Sequence, residues 1–107
     1  FTIRYVEAGK YKLNTKPHVA ALDADQLRFP LKLRAWQEGD WFVPLGMNGK
    51  KKISDFLIDK KIPANLKGQT LVLVSDQSIA WVVGQRLDNR FKVTDKTQRV
   101  VEISWRR

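Results

Sequence analysis

Leu71-Val72-Leu73-Val74-Ser75-Asp76-Gln77-Ser78-Ile79-Ala80-Trp81-Val82-Val83 is the stretch on which the fold turns. Two β-rich runs, apolar on both faces, flank Asp76-Gln77-Ser78, whose side chains suit a turn, so the sequence predicts a central hairpin. Working outward, residues 1–5 and 31–35 alternate apolar and polar with period two and read as half-buried strands. Residues 100–105 read as a final strand with Val101, Ile103 and Trp105 on one face. Shorter extended pieces are expected at 10–13, 19–22, 41–43 and 91–93.

One helix is expected, over 51–61. Ile53, Phe56 and Leu57 form an apolar stripe at i, i+3 and i+4, and Ile62-Pro63 stops it because the residue before proline avoids the α region. Ser54, with Asp55 in the first turn, is one candidate N-cap and Asn48 an earlier one. Pro63 can open a short second turn through Lys67. Many strands with one helix inserted midway give an α+β domain built around a sheet sandwich or partial barrel.

The chain has 107 residues, 20 basic against 11 acidic, for a net charge of +9. That length supports one domain with a modest core, burying roughly two thirds of the surface the unfolded chain exposes. The absence of Cys excludes disulfides, thiolate zinc sites, iron–sulfur clusters and a Cys nucleophile. His18 is the only histidine, so His-pair metal sites are excluded too. The apolar runs at 71–74 and 79–83 fall far short of the ~20 residues that span a bilayer. The first residue is Phe1, and the chain is expected to be a piece of a longer polypeptide.

The excess charge is localised. Residues 46–67 carry +4 and residues 84–107 another +4, while residues 1–45 carry +2. Such a surface implies an anionic partner, with nucleic acid ahead of a membrane because the apolar face of the short helix is committed to the core. The first basic segment opens on Gly46-Met47-Asn48-Gly49-Lys50-Lys51-Lys52, where two glycines allow positive φ or close approach of a ligand and three lysines follow. It reads either as a phosphate-binding loop or as a turn followed by solvated lysines. Lysines at a helix N-terminus oppose the dipole, so helix stability does not account for Lys50, Lys51 and Lys52, whereas Lys60 and Lys61 fall where the dipole favours cations. The loop does not fit the Walker pattern GxxxxGK[ST]. Arg86 and Arg90 either join the lysines or pair with Asp88. Trp36, on the polar face of its strand, reads as edge cover or as a base-stacking side chain, and Trp41, Trp81 and Trp105 as core. Asp40 and Asp55 read as turn and helix-start residues, with no second acid or nucleophile to make a catalytic site.

The pattern Gly39-Asp40-Trp41-Phe42-x-Pro44-x-Gly46-Met47-x-Gly49-x-Lys51-Lys52-x-Ser54-Asp55-Phe56, then Ile58-Asp59-x-Lys61-Ile62-Pro63, then Ile79-x-Trp81-Val82-x-Gly84-x-Arg86 through Arg90-x-Lys92-Val93-Thr94, resembles the C-terminal domain of bacterial tRNA(Ile)-lysidine synthetase. The resemblance covers about residues 31–94 and leaves residues 1–30 as a lead-in of open role. It implies a fold similar to a sandwich-like domain of the phenylalanyl-tRNA synthetase β chain. It also implies a parent ligase that uses ATP, with Mg2+ expected, to attach lysine to the wobble cytidine of a CAU-anticodon isoleucine tRNA in the cytoplasm. That chemistry belongs in the family to an N-terminal PP-loop domain with an SGGxDS motif, which this sequence lacks. The domain itself is therefore expected to be non-catalytic and to hold no cofactor. Its expected partners are the tRNA(Ile) acceptor stem and the catalytic domain of the same polypeptide. Gly46, Met47, Gly49, Lys51, Lys52, Arg86 and Arg90 match the family pattern; with Asn48, Lys50, Lys60 and Lys61 they make the expected tRNA-binding set. Lys67 stands where the family often has Arg, and Leu71 where Pro is common. The rival expectation is a protein-interaction or spacer domain that packs on the catalytic domain.

Overall fold

The computed structural model describes residues 2–12 and 16–105. In chain order these form β1 (Thr2–Glu7), β2 (Val19–Asp23), β3 (Leu31–Ala35), β4 (Trp41–Phe42), β5 (Lys51–Lys52), α1 (Ile53–Asp59), α2 (Ala64–Lys67), β6 (Leu71–Ser75), β7 (Ser78–Val82), β8 (Arg86–Leu87) and β9 (Arg99–Ser104). Single 3-10 turns lie at Ala8–Lys10, Ala24–Gln26 and Asn89–Phe91. The strands make a four-stranded antiparallel sheet in the order β3-β6-β7-β8, a three-stranded antiparallel sheet β1-β9-β2, and the short pair β4-β5.

The predicted hairpin is the centre of the molecule. Along β6 the faces alternate strictly: Leu73, with Leu71, packs toward the three-stranded sheet, whereas Val72 and Val74 pack toward α1. On β7 the alternation breaks. Leu73 pairs with Trp81 but Val74 with Ile79, so Ala80 is the extra residue of a β-bulge. The bulge puts neighbouring Ala80 and Trp81 on the same side while Ile79 and Val82 face α1. Its carbonyl is used elsewhere, accepting from the Asp88 amide at 2.9 Å.

A two-faced hairpin needs cover on both sides, and the chain supplies it. On one side Ala20 and Leu22 of β2 and Val101 and Ile103 of β9 meet Leu73 and Trp81. On the other, Ile53, Phe56 and Leu57 of α1 lie with Phe42 against Val72, Val74 and Val82. Phe42 and Phe56 meet edge to face at 5.1 Å between centroids. Isolated helices as short as seven residues are not stable in water, so α1 persists through this burial, with about 1.5–3 kcal/mol expected for each such side chain. The lead-in also has a place: β1 and β2 flank β9 and supply two of the three strands of the second sheet.

Four expectations about elements are corrected. The helix begins at Ile53, because Lys51 and Lys52 are extended and pair with Phe42 and Trp41. Neither Ser54 nor Asn48 caps it: the N-cap is Lys52, which makes no side-chain cap bond, and the Asp40 carbonyl accepts from the Ile53 amide at 3.0 Å. Instead of a strand at 91–93 there is the 3-10 turn ending at Phe91, then a single bridge from Lys92 to Leu22. The extended piece expected at 10–13 starts in a 3-10 turn, and Leu13, like Phe1, lies outside the described residues.

Beyond α1 the chain closes as a Schellman motif. Ile62 donates to the Leu57 carbonyl at 3.1 Å and Lys61 to the Ile58 carbonyl at 2.9 Å, with Lys61 left-handed at φ 58°. Lys60 and Lys61 therefore lie past the last helical turn instead of within it. The short second helix after Pro63 forms as expected, and the Lys67 carbonyl at its end accepts from the Trp36 indole at 2.6 Å. Trp36 thus covers the edge of the α1-side core.

Candidate nucleic-acid interface

Two segments carry the candidate residues, and backbone bonds fasten them together. Leu45 donates to the Leu87 carbonyl at 2.9 Å, Asn89 to the Val43 carbonyl at 2.6 Å, and Pro44 bridges Asp88. The Gly46 amide donates to Asn89 Oδ1 at 3.1 Å. Gly46 sits at φ 88°, a conformation L side chains rarely adopt, and this aims the chain into the lysine run. Gly49 has no positive φ, so that conformational freedom is not used there, and the space around it is open.

Asp88 is the anchor of this junction. It is fully buried; one carboxylate oxygen accepts from the Val43 amide and Arg90 Nη2, both at 2.8 Å, and the other from Arg90 N and Nε at 2.8 and 2.9 Å. A buried carboxylate is tolerable only when so paired. Those hydrogen bonds outweigh desolvation and hold the Arg90 guanidinium above its ordinary pKa. The same guanidinium lies 4.8 Å from the centroid of the Trp41 ring, and Lys50 Nζ lies 4.2 Å from it. The two alternatives for Arg90, pairing with Asp88 or joining the lysines, are both realised. Trp41, expected in the core, is instead 37% exposed, while its neighbour Phe42 is fully buried.

A second cluster forms beside it. Pro44, Met47, Lys51, Phe56, Asp59, Lys60 and Arg86 line a pocket of about 220 Å³. Lys60 Nζ and the Arg86 guanidinium each stand 5.8 Å from the Phe56 centroid, and Lys51 Nζ pairs with Asp59. Lys52, Lys61 and Asn48 are exposed and belong to neither cluster. Sequence reasoning missed Trp41 and Arg34. Arg34 lines a small recess with Trp41 and Arg90 and donates to Asp40 at 2.8 and 3.1 Å. The signal for Trp41 was its period-two relation to Phe42, which must turn one of the two outward.

Asp40 is a turn residue, as its Gly39-Asp40 context predicts. Burial would raise its pKa, but hydrogen bonds from Arg34 and the Gln37 amide, and the Arg34 charge, bring it below the ordinary value. Asp55 is exposed in the first turn of α1. Among the described residues no three His, Cys, Asp or Glu side chains gather as a metal ion held by protein alone would require. No helix there is long and apolar enough to cross a membrane.

Comparison with known proteins identifies the family and the fold. The family model described as TilS substrate C-terminal domain matches residues 31–105. The tRNA(Ile)-lysidine synthase of Parabacteroides distasonis is 45% identical over 95 residues, covering 89% of this chain and 22% of the relative. That of Bacteroides thetaiotaomicron is 43% identical over 91 residues, covering 85% and 21%. The chain thus spans about a fifth of the length of these relatives. A crystal structure of a TilS C-terminal domain superposes with a TM-score of 0.78 at 21% identity, covering 95% of this chain and 80% of that one. An N-terminal fragment of the phenylalanyl-tRNA synthetase β-subunit from Pyrococcus horikoshii superposes at 0.63 with 16% identity, covering 78% and 26%. The two superpositions speak to the fold, which is the α+β sandwich with one main helix that the sequence predicts. With the family model matching 75 of its 107 residues, the chain belongs to the TilS substrate C-terminal domain family.

Proposed function

We propose that this chain binds the acceptor stem of tRNA(Ile) on behalf of a longer lysidine synthase. The observation that carries the reading is the fastening of segment 43–46 to segment 87–89, which gathers Lys50 and Arg90 at Trp41 and Lys51, Lys60 and Arg86 at Phe56. Cations set out on a fixed scaffold neutralise the phosphates of an A-form stem and fix its register. The deep major groove of RNA is closed to side chains, so sequence preference is left to a few contacts in the shallow minor groove. The chain holds the tRNA while another domain of the polypeptide, with ATP and magnesium, joins lysine to the wobble cytidine in the cytoplasm.

The test compares two RNAs of equal length, an acceptor minihelix of tRNA(Ile) and an anticodon stem-loop of the same tRNA. The reading expects the minihelix to bind more tightly, and Lys50, Lys51 and Lys52 changed together to Ala to remove the difference. Equal binding of both RNAs would contradict it. A second reading, docking on the catalytic domain, is favoured by a separate groove of about 510 Å³ whose apolar wall includes Ile62, Leu66, Leu71, Val83 and Trp105. It predicts binding to the catalytic domain that the lysine substitutions leave unchanged.

A further inference from the structure

Of the recesses on the basic surface, the pocket over Phe56 sets three cations around a buried aromatic ring. Pro44 and Phe56 are buried beneath it, Met47 stands 43% exposed at its edge, and three cations surround it. A phosphodiester inside a helix has one negative charge and needs no recess. Here Lys51, Lys60 and Arg86 against the single carboxylate of Asp59 leave two positive charges in one pocket. A phosphomonoester carries about −1.5 to −2 at neutral pH and answers this positive excess, which grows when Asp59 moves away, better than the single charge of a diester. At about 220 Å³ and open to solvent on one side, the pocket has room for a phosphate group with its sugar at the mouth.

Asp59 marks where the anion would sit. Its side chain is 61% exposed, yet it closes on Lys51, which is only 28% exposed. A carboxylate oxygen on a partly buried ammonium occupies the position that a phosphate oxygen would take. We propose that this pocket takes a nucleoside 5′-phosphomonoester, displacing Asp59 from Lys51. That group ends a 5′-phosphorylated RNA strand and is also carried by a free mononucleotide. The phosphate lies between Lys51, Lys60 and Arg86, the sugar rests over Met47 and Phe56, and the Asp59 carboxylate turns to water. For the RNA end, the inference rests on the RNA-binding reading above.

The test titrates the 107-residue chain with one acceptor-stem RNA hairpin in two forms, bearing a 5′-phosphate or a 5′-hydroxyl, and with guanosine 5′-monophosphate against guanosine. At pH 7.5 the phosphorylated hairpin should bind on the order of tenfold more tightly than the hydroxyl form. That gap should close in Arg86→Gln and narrow toward pH 5.5, because the monoester takes up its second proton near pH 6. Asp59→Asn, an exposed change, should move the other way and tighten the phosphorylated hairpin by about two- to fivefold. If the hairpins bind alike but guanosine 5′-monophosphate outbinds guanosine through Arg86, the pocket takes its phosphomonoester from a free nucleotide. Equal, salt-dependent binding of both hairpins, with guanosine and its monophosphate also alike, would overturn the pocket and leave the RNA-binding reading intact. Failure of both hairpins while the monophosphate binds would overturn that reading and leave the pocket.

Discussion

Arg90 and Asp88 are joined by three hydrogen bonds of 2.8–2.9 Å, and the carboxylate that accepts them is fully buried while the guanidinium is 38% exposed. One pair thereby does two things: it satisfies a charge inside the junction of segments 43–46 and 87–89, and it presents a cation at Trp41. Removing the exposed partner strands the buried one. Arg90→Ala is expected to lower the unfolding free energy by about 2–3 kcal/mol, less than for a wholly buried pair because solvent screens the exposed side. Urea denaturation checks this, with Arg90→Lys intermediate since an ammonium cannot reproduce the fork.

Trp41 positions charge without carrying any. Each cation–π contact is worth about 0.5–1 kcal/mol at an exposed site, so Trp41→Ala should weaken minihelix binding by about three- to tenfold. Stability should fall by no more than about 1–2 kcal/mol, the two contacts themselves, because the indole is not part of either core cluster. Parallel titration and denaturation of the variant separate the two effects.

Lys61 holds a left-handed conformation in the Schellman motif, which glycine adopts without steric cost. Lys61→Gly is expected to stabilise the chain by about 0.5–1 kcal/mol, the relief of strain being partly offset by the greater freedom of glycine when unfolded. Thermal unfolding should show the gain.

The Asp40–Arg34 pair makes stability depend on acid. The folded carboxyl titrates below its ordinary value, so its contribution is fully present above the unfolded value of about 4 and is lost as the pH falls through the folded one. Unfolding measured at pH 5 and pH 2.5 should show a larger acid loss for the native chain than for Arg34→Gln, in which that contribution is already missing.

The layers of the fold were legible because hydrophobic pattern carries them. The stripe of Ile53, Phe56 and Leu57, the alternation at 31–35 and the two-faced hairpin all appear in their predicted places. What escaped depended on partners distant in sequence. Lys51 and Lys52 resemble the start of a helix, but pairing with Trp41 and Phe42 makes them a strand. The bulge at Ala80 reverses the face of Trp81, which no local count reveals. At the site the lysines and arginines are legible one by one, while Trp41, which two of them share, reads as core. Burial of Phe42 turns it outward, and burial is settled by the whole fold.

Phosphate contact is the central claim, and its signature is salt. Titrating the chain with the tRNA(Ile) acceptor minihelix across a series of salt concentrations should give a log–log slope on the order of −3 to −4 if four phosphates are neutralised, taking the duplex DNA coefficient as a guide. The slope should flatten when Lys50, Lys51 and Lys52 are all changed to Ala. An affinity indifferent to salt, or a slope and affinity that the triple substitution leaves unchanged, would contradict it.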